Sequence, residues 1–464
     1  MSHPANTETI KPGEARCPGP STKDIVLADG EALPEALLTE SYAFLGDADV
    51  SYDAYTSKAF AERELKNLWP KVWQFACREE HLPNPNDSYV YDIGPYSVLI
   101  VRQPDGGLKA FINACKHRGM QLQDASAGTI RLRTIRCPFH GWSWGLDGRL
   151  LQIPCEWDFP HVDKARFALD EVRLECWAGF VFINLDQNAP PLAQYLEVLP
   201  DHFKEWPLQD RHISLHIEKT LPANWKLATE AFLEAYHVLA THPQGLPTAG
   251  DANAQYDVFG QHVSRFYHTV GFPSPHLASN HSQEDILASL GGEALGLKLD
   301  ERGRARLVFA DFLRSAFGSE MRVDLTNVST SEMIDSIEYF LFPNFCVFPG
   351  ISFPMVYRFR PDPDNVDRSI FDLYFLKPTP KGETPPPAPP PIKLGLDDLF
   401  ANAAGLPPML GVIYDQDTGN LARLTRGVKA SMKTGQTLGN YQEVRIRHMR
   451  QTLDRYLQDD STQK

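Results

Sequence analysis

Apolar residues alternate with polar ones along several short stretches of the first 190 residues, which predicts β-strands there. The expected strands are Tyr89–Ile93, Tyr96–Val101, Ala110–Asn113 and Phe180–Leu185. Asp-Gly sequences at 105–106 and 147–148 are typical of hairpin turns, because glycine accepts a positive φ. One helix is expected before these strands, over Ser57–Trp69, with Leu65 and Leu68 on its apolar side.

From about residue 189 the pattern mixes strands with helices. Strands are expected over His212–Lys219, Ser336–Phe342, Phe345–Pro349 and Ile370–Lys377, and helices over Trp225–Ala240 and Leu410–Met432. The proline-rich run 385–391 cannot enter a helix or a central strand, so we expect a stiff surface connection there. A ligand for a polyproline-binding module is the alternative. These patterns predict a loosely ordered arm over 1–50, a mostly β domain over 51–188 and a mixed α+β domain over 189–464.

Composition narrows the class of protein. The chain has 464 residues, of which 42% are hydrophobic and 22% charged, as is ordinary for a globular protein. A net charge of −14 argues against binding nucleic acid or an anionic membrane surface. No apolar run approaches the ~20 residues that span a bilayer, and the polar N-terminus resembles no signal peptide. Seven cysteines without paired spacings favour a reduced, cytoplasmic protein.

Two short sequences each combine one cysteine with one histidine. They are Cys115-Lys116-His117 and Cys137-Pro138-Phe139-His140. Two thiolates and two imidazoles suit either a tetrahedral zinc or a Rieske [2Fe–2S] cluster. Zinc sites of the Cys₂His₂ type keep their cysteines in one sequence and their histidines in the other, so the alternation favours the cluster. Because neutral imidazoles raise the reduction potential, the cluster is expected to relay electrons. A zinc knuckle is the alternative.

A second metal site is suggested by two histidines and an aspartate. His237 and His242 are five residues apart, which places them about 140° apart on a regular helix. They converge only if the helix is distorted or ends between them, and Pro243 favours an ending. With Asp417 they would form the two-histidine, one-carboxylate triad that leaves open positions on Fe(II) for oxygen. The alternative is two unrelated surface histidines and a solvated carboxylate.

Together these motifs resemble the α subunit of the Rieske non-haem iron oxygenases, the aromatic ring-hydroxylating oxygenases, from about residue 57 to 455. The matching sequences are Asn113–Gly119, Cys137–Trp142, Asn224–Lys226, Glu234 with His237 and His242, Phe342–Asn344, and Gln416–Asp417 ahead of Arg426–Gly427. The resemblance implies an α+β fold. It consists of an all-β Rieske [2Fe–2S] domain followed by a catalytic domain of antiparallel sheet and helices, of the helix-grip or START-like type.

The resemblance also implies the roles of individual residues. It assigns the [2Fe–2S] cluster to Cys115, His117, Cys137 and His140, and a mononuclear Fe(II) to His237, His242 and Asp417. Family members form trimers in which one subunit's cluster passes electrons to its neighbour's iron. Glu234 is expected to bridge the two centres, with Glu230 as the alternative bridge. Asn224 is assigned a catalytic role, and Asp415 is the alternative third iron ligand.

The expected activity is hydroxylation of an aromatic or polycyclic substrate with O₂ and electrons from NAD(P)H. A ferredoxin, a flavin reductase or both would deliver the electrons to a homotrimer, or to an α₃β₃ assembly with a β subunit. An apolar pocket is expected from Phe232, Phe340, Phe342, Phe345 and Phe348, although each also suits an ordinary core.

Two alternative functions stay open. Many ring dioxygenases carry Asp where this chain has Glu234, and Glu also fits the trimeric amine and carnitine-type monooxygenases. A monooxygenase or demethylase acting on a quaternary amine, held by cation–π contacts, or on a methoxy compound is therefore one alternative. The other is a Rieske electron-transfer protein without catalytic iron.

Overall fold

Two large, mainly antiparallel sheets organise the chain, which a computed structural model describes over residues 10–278 and 281–458. A seven-stranded sheet lies in the N-terminal half, with the strand order β2-β11-β10-β5-β4-β3-β6. The elements up to residue 184 are α1 Thr22–Leu27, α2 Glu35–Leu38, β1 Val50–Ser51, α3 Asp53–Thr56, α4 Lys58–Asn67, β2 Gln74–Arg78, β3 Asp87–Ile93, β4 Tyr96–Arg102, β5 Leu108–Ile112, β6 Ile130–Arg131, β7 Ile135–Arg136, β8 Ser143–Trp144, β9 Leu150–Gln152, β10 Glu171–Trp177 and β11 Phe180–Asn184. Strands β7, β8 and β9 form a separate three-stranded sheet. We call residues 74–184 the β unit.

The eight-stranded sheet has the order β13-β14-β15-β16-β17-β18-β12-β19 and is antiparallel except where β19 pairs with β12. The elements from residue 192 onward are α5 Leu192–Tyr195, α6 Leu199–His202, β12 Arg211–Leu221, α7 Trp225–Glu230, α8 Val238–Thr241, β13 Gln255–Phe259, β14 Val263–His268, α9 Gln283–Ser289, α10 Ala305–Met321, α11 Thr330–Ile334, β15 Ser336–Leu341, β16 Phe345–Val347, β17 Met355–Pro361, β18 Ser369–Pro378, β19 Ile392–Leu394, α12 Pro408–Gly419, α13 Leu421–Ala430, β20 Gly435–Gln436 and α14 Val444–Gln458. We call this part the α+β unit. The predicted architecture, a β domain followed by a sheet-and-helix domain, is confirmed.

The eight-stranded sheet separates the β unit from the helices that carry the candidate iron ligands. Residues paired across neighbouring strands share one face of a sheet. Glu338 on β15 faces α14, where it pairs with Arg445 (2.7 Å), and we call this side the inner face. Phe345 on β16 points the other way and packs against Phe75 of the β unit, with ring centroids 5.2 Å apart. Successive residues of these strands therefore alternate between the inner face and the face that contacts the β unit.

Two predicted helices are interrupted. The one expected over Trp225–Ala240 is split into α7 and α8, because the backbone groups between them bond to side chains of other elements instead of continuing the helix. The one expected over Leu410–Met432 is split into α12 and α13 at Asn420, next to Gly419. Glycine and asparagine are both poor helix formers, which makes this a natural position for the break.

The N-terminal arm is more ordered than predicted. Ile25 and Val26 are buried, Thr22 Oγ1 donates to Asn253 O (2.8 Å), and Asp29 pairs with Arg306 (3.0 Å). The prediction of a loosely ordered arm is therefore wrong for residues 22–50, because the arm is held against the α+β unit by apolar burial and ion pairs.

Two further predictions concern the surface. The run 385–391 is mostly exposed and has no regular secondary structure, as predicted for consecutive prolines. Among the described residues, every helix is too short or too polar to cross a bilayer.

Candidate metal centres

The two Cys-and-His sequences fold into loops with the same backbone hydrogen bonds. Cys115 lies between β5 and β6, and Cys137 directly follows β7. In each loop the cysteine N–H donates to the carbonyl five residues on (2.8 Å in both), and the N–H four residues on donates to the cysteine carbonyl (2.9 and 3.1 Å). Gly119 and Gly141 close the loops with φ of 79° and 74°, which suits glycine. The two loops thus present their cysteines equivalently.

The side chains of these loops fit a cluster bound by two thiolates and two imidazoles. Cys115 and Cys137 are buried, and the rings of His117 and His140 lie 4.7 Å apart near the surface. His117 stacks on Trp142 with an interplanar angle of 2°. Its Nδ1 is buried and has no hydrogen-bond partner within the described ranges. A buried imidazole nitrogen without a protein partner, beside two thiols, fits the donor set of such a cluster.

Three predicted iron ligands converge. The donor atoms of His237, His242 and Asp417 all lie within 4.8 Å of one another. Asp417 Oδ1 is 2.7 Å from His242 Nε2 and 3.3 Å from His237 Nε2. This donor set, two imidazoles and one carboxylate, suits Fe(II) with open coordination positions.

The end of α8 at His242 allows this convergence. His237 lies at the start of α8, and His242 lies at its end with φ −123° and ψ 54°. The predicted helix ending before Pro243 is confirmed, but a second interruption ahead of His237 was not foreseen. The two rings consequently meet edge to face with centroids 5.3 Å apart.

The remaining nitrogen of each histidine is held by a neighbouring side chain. His237 Nδ1 is 2.8 Å from Glu234 Oε1, and the His237 backbone N–H donates to Glu234 Oε2 (2.9 Å). His242 Nδ1 is 2.8 Å from Gln416 Oε1. Acceptors of this kind orient a metal-binding imidazole and fix which nitrogen faces the metal.

The charges of the triad are strongly coupled. Burial alone would lower the pKa of His237, but hydrogen bonds to Asp417 and Glu234 raise it to about 10. Burial alone would raise the pKa of Asp417, but the two histidines hold it below its ordinary value. A divalent cation bound by these side chains would balance the same carboxylate charges.

Three other predicted residues lie away from the triad. Asn224 caps α7: its Oδ1 accepts from the Lys226 N–H (3.1 Å) and its Nδ2 donates to Val366 O (3.0 Å). Both polar groups are engaged by backbone, so the geometry gives its predicted catalytic role no support. The two alternatives also bond elsewhere, Glu230 to the Tyr55 hydroxyl (2.7 Å) and Asp415 to the Phe400 N–H (2.7 Å).

The predicted aromatic pocket residues divide between environments. Phe340 and Phe348 belong to the inner-face side, and Phe232 packs against Tyr357 of that face (5.4 Å). The prediction for Phe345 is wrong, because strand alternation turns this residue toward the β unit. Phe342 lies beyond the end of β15 and stacks on Tyr456 of α14 (5.9 Å), so its place in a substrate pocket stays a prediction.

Several residues near the triad were missed from the sequence. The hydroxyls of Tyr357 and Tyr414 are 2.9 Å apart, and Tyr256 accepts a hydrogen bond from the Ala235 N–H (2.9 Å). Burial lowers the pKa of His268 to about 4, with His237 and His242 adding to the effect, and its Nε2 has no partner in the described part of the chain. Polar residues at alternate positions of otherwise apolar strands were the one available signal.

Comparison with known proteins identifies both halves. Residues 72–163 match the Rieske [2Fe-2S] domain family, which contains both loops described above. Residues 202–459 match the ring-hydroxylating alpha subunit catalytic domain, over more than half of the chain. The chain belongs to the ring-hydroxylating oxygenase alpha-subunit family. Members of this family are Rieske non-haem iron oxygenases. The two Cys-and-His loops are therefore interpreted as a [2Fe–2S] site and not as a zinc knuckle.

Curated relatives of this alpha subunit include both dioxygenases and monooxygenases. It is 31% identical to the benzene 1,2-dioxygenase alpha subunit of Pseudomonas putida over 268 residues, 52% of this chain and 59% of that protein. It is 35% identical to the carnitine monooxygenase oxygenase subunit of Escherichia coli over 198 residues, 41% of this chain and 50% of that protein. The chain thus spans little more than half the length of the curated relatives it matches.

Solved structures share the fold of this alpha subunit. A quaternary ammonium Rieske monooxygenase aligns with a TM-score of 0.62 at 20% identity, over 90% of this chain and 100% of the other. A naphthalene 1,2-dioxygenase variant bound to phenanthrene aligns with a TM-score of 0.61 at 18% identity, over 89% and 93%. At these identities the likeness shows a common fold.

Proposed function

We propose that this alpha subunit hydroxylates an aromatic or polycyclic substrate with O₂ at a mononuclear Fe(II) held by His237, His242 and Asp417. The observation that carries the proposal is the convergence of three ligand atoms within 4.8 Å, with acceptors on both outer imidazole nitrogens. An electron-transfer protein without catalytic iron would have no need of this constellation. The electron-transfer alternative is therefore weaker than either oxygenase function.

The protein's own contribution is to bind, orient and shield. Iron in the triad would supply open positions for O₂, and a cluster held by Cys115, His117, Cys137 and His140 would supply electrons singly. Glu234 and Gln416 fix the orientation of the two histidine rings. The sheet side of the centre is closed by buried aromatic rings, which keep water from the reacting carbon.

Exposed apolar residues support the proposed trimer. One group surrounds the cluster loops: Met120, Phe139 and Trp157 are 43%, 55% and 82% exposed. Another flanks the triad, including Tyr236 and Met409 at 55% and 67%. Two different patches on one chain suit a head-to-tail ring in which one subunit's cluster faces its neighbour's Glu234. A homotrimer, or an α₃β₃ assembly, would receive electrons from a ferredoxin, a flavin reductase or both.

An apolar aromatic substrate is supported by the rings on the inner face, Phe340, Phe348 and Tyr357. Oxidation of a quaternary amine or a methoxy compound is the second candidate. Two features support it: the residue that bonds His237 is a glutamate, Glu234, and the chain is 35% identical over 198 residues to a carnitine monooxygenase oxygenase subunit. Aromatic rings can also hold such a cation.

Two organisational features complete the proposal. We assign the cluster to residues 51–188 and the iron to residues 189–464. We also propose a cytoplasmic location, supported by the buried thiols of Cys77 and Cys346, which form no disulfide.

Metal analysis tests the proposed centres. Anaerobically purified protein should contain about three irons and two acid-labile sulfides per chain, one cluster plus one mononuclear iron. Asp417→Ala should lose about one iron while keeping the visible spectrum of the cluster, and O₂ uptake with indole or L-carnitine should fall to background. Asp415→Ala is the matched control and should keep all three irons. Unchanged iron content in Asp417→Ala would refute the ligand assignment.

A further inference from the structure

Glu234 stands in a segment whose backbone is held on both sides by buried side chains. The preceding carbonyl, Leu233 O, accepts from Arg445 Nη1 (3.3 Å). The following amide, Ala235 N–H, donates to the Tyr256 hydroxyl (2.9 Å). Neither backbone group is used by α7 or α8, so these two side chains define the path of the chain through the interruption.

The two supporting side chains are themselves fixed by other elements. Arg445 on α14 pairs with Glu338 on the inner face of the sheet (2.7 Å) and donates to Ser264 Oγ (3.2 Å). Tyr256 on β13 lies edge to face with Tyr441 (5.3 Å), and its N–H donates to the Tyr441 hydroxyl (3.3 Å). Buried hydrogen-bonded networks of this kind restrict the motion of the groups they join.

The arm reaches the same network. The guanidinium of Arg16 lies between the rings of Tyr441 (3.7 Å) and Tyr42 (4.5 Å). The arm, β13 and α14 thus all converge on one short segment. A surface loop of seven residues would not need this many supports, whereas a carboxylate that must stay at a fixed distance from a second redox centre would.

We propose that Tyr256 is a positioning residue for inter-subunit electron transfer, acting by holding Ala235 and so the Glu234 carboxylate against His237. This inference rests on the proposed function, in which Glu234 links a neighbour's cluster to the iron. Arg445 supports the other side of the same segment. Tyr256 does not touch the ligands of the proposed iron, and its effect passes through the backbone.

Tyr256→Phe tests the proposal because it removes one hydroxyl and little volume. The reduced protein is mixed with O₂ and with whichever of indole and L-carnitine accelerates cluster oxidation in the unmodified protein, or with O₂ alone if neither does. The variant should oxidise its cluster about tenfold more slowly, because the loss of one buried hydrogen bond corresponds to about that factor. Iron, sulfide and the KM of the same compound should stay unchanged. An unchanged rate overturns the proposal.

Tyr374→Phe is the matched control. Tyr374 is a buried tyrosine on the outer face of the sheet, and its hydroxyl has no partner within the described residues. Its removal should leave the rate of cluster oxidation unchanged. Hydrogen exchange of metal-free protein gives an independent readout: peptides covering 231–237 should exchange faster in Tyr256→Phe and not in Tyr374→Phe. Equal exchange in both variants counts against the proposal.

A double-variant cycle separates the positioning role from the bridge itself. Glu234→Gln should slow cluster oxidation, and adding Tyr256→Phe should slow it no further, because both act through one carboxylate. If Glu234→Gln leaves the rate unchanged, the bridge in the proposed function fails. If Glu234→Gln is slow and Tyr256→Phe is normal, only the positioning role fails. If Tyr256→Phe does not fold, Arg445→Lys tests the same segment, because it keeps a cation for Glu338 but loses the hydrogen bond to Leu233 O. This variant should show the same slowing. A normal rate would overturn the proposal.

Discussion

Single residues at the two centres differ in how far the sequence determines them. Cys115, His117, Cys137 and His140 are close in sequence, so spacing alone indicates their chemistry. Asp417 lies 175 residues from His242, and its position alone does not distinguish an iron ligand from a solvated carboxylate, because a carboxylate on an amphipathic helix usually faces solvent. The roles of Tyr256 and Arg445 could not be predicted, since an isolated polar residue in a strand or helix does not show what it will contact.

Glu230 yields a prediction about pH at the residue scale. Burial raises its pKa to about 7, despite the nearby positive charge of Arg450. Between about pH 4.5 and 7 the folded protein therefore retains a proton that the unfolded chain releases, so the free energy of unfolding should fall as pH rises through this interval and level off above it.

Urea unfolding at pH 5 and pH 8 measures this effect. The difference in unfolding free energy between the two pH values should be smaller in Glu230→Gln than in the unmodified protein. Glu62→Gln, which changes an exposed glutamate on α4, is the control and should behave as the unmodified protein. The same pH dependence in Glu230→Gln would show that another group is responsible.

At the scale of elements, regular segments were predictable and irregular ones were not. The strands β3, β4, β15 and β18 follow from alternation, because one face of each is set by local pattern. The interruption between α7 and α8 does not follow from any local pattern. Residues 231–237 have ordinary helix formers, and it is contact with Tyr256 and Arg445 that overrides their propensity.

An ion pair between elements gives the next prediction. Lys226 on α7 and Glu64 on α4 are both buried and lie 2.7 Å apart, joining the helix before the β unit to the α+β unit. Lys226→Met should destabilise the protein by about 3–5 kcal/mol, because it leaves Glu64 buried without a counter-ion.

The double variant Glu64→Leu with Lys226→Met should recover most of that loss in a chemical denaturation experiment, since it removes both charges together. Exposed pairs give the comparison: Lys109→Met, which breaks a surface pair with Glu171, should change stability by less than about 1 kcal/mol. Equal destabilisation by Lys226→Met and Lys109→Met would show that burial of the pair does not matter.

At the scale of the whole molecule, the exposed patches predict how copies associate. Trp157 is the most exposed aromatic residue around the cluster loops, at 82%. Trp157→Glu should shift sedimentation velocity profiles from trimer toward monomer at micromolar concentration, because it places a charge in an apolar contact. The cluster spectrum should persist. Leu27→Glu, at an exposed site on the arm, is the control, and a trimer in both variants would place the interface elsewhere.

The shared sheet has a consequence for how such a protein can change its substrate. Inner-face positions such as Phe340, Phe348 and Tyr357 alternate with outer-face positions such as Phe345, which hold the β unit in place. Substitutions at inner-face positions can therefore change the proposed substrate side of the sheet while the contact with the β unit stays intact. A library confined to Phe340, Phe348 and Tyr357 would leave the outer-face contacts with the β unit unchanged.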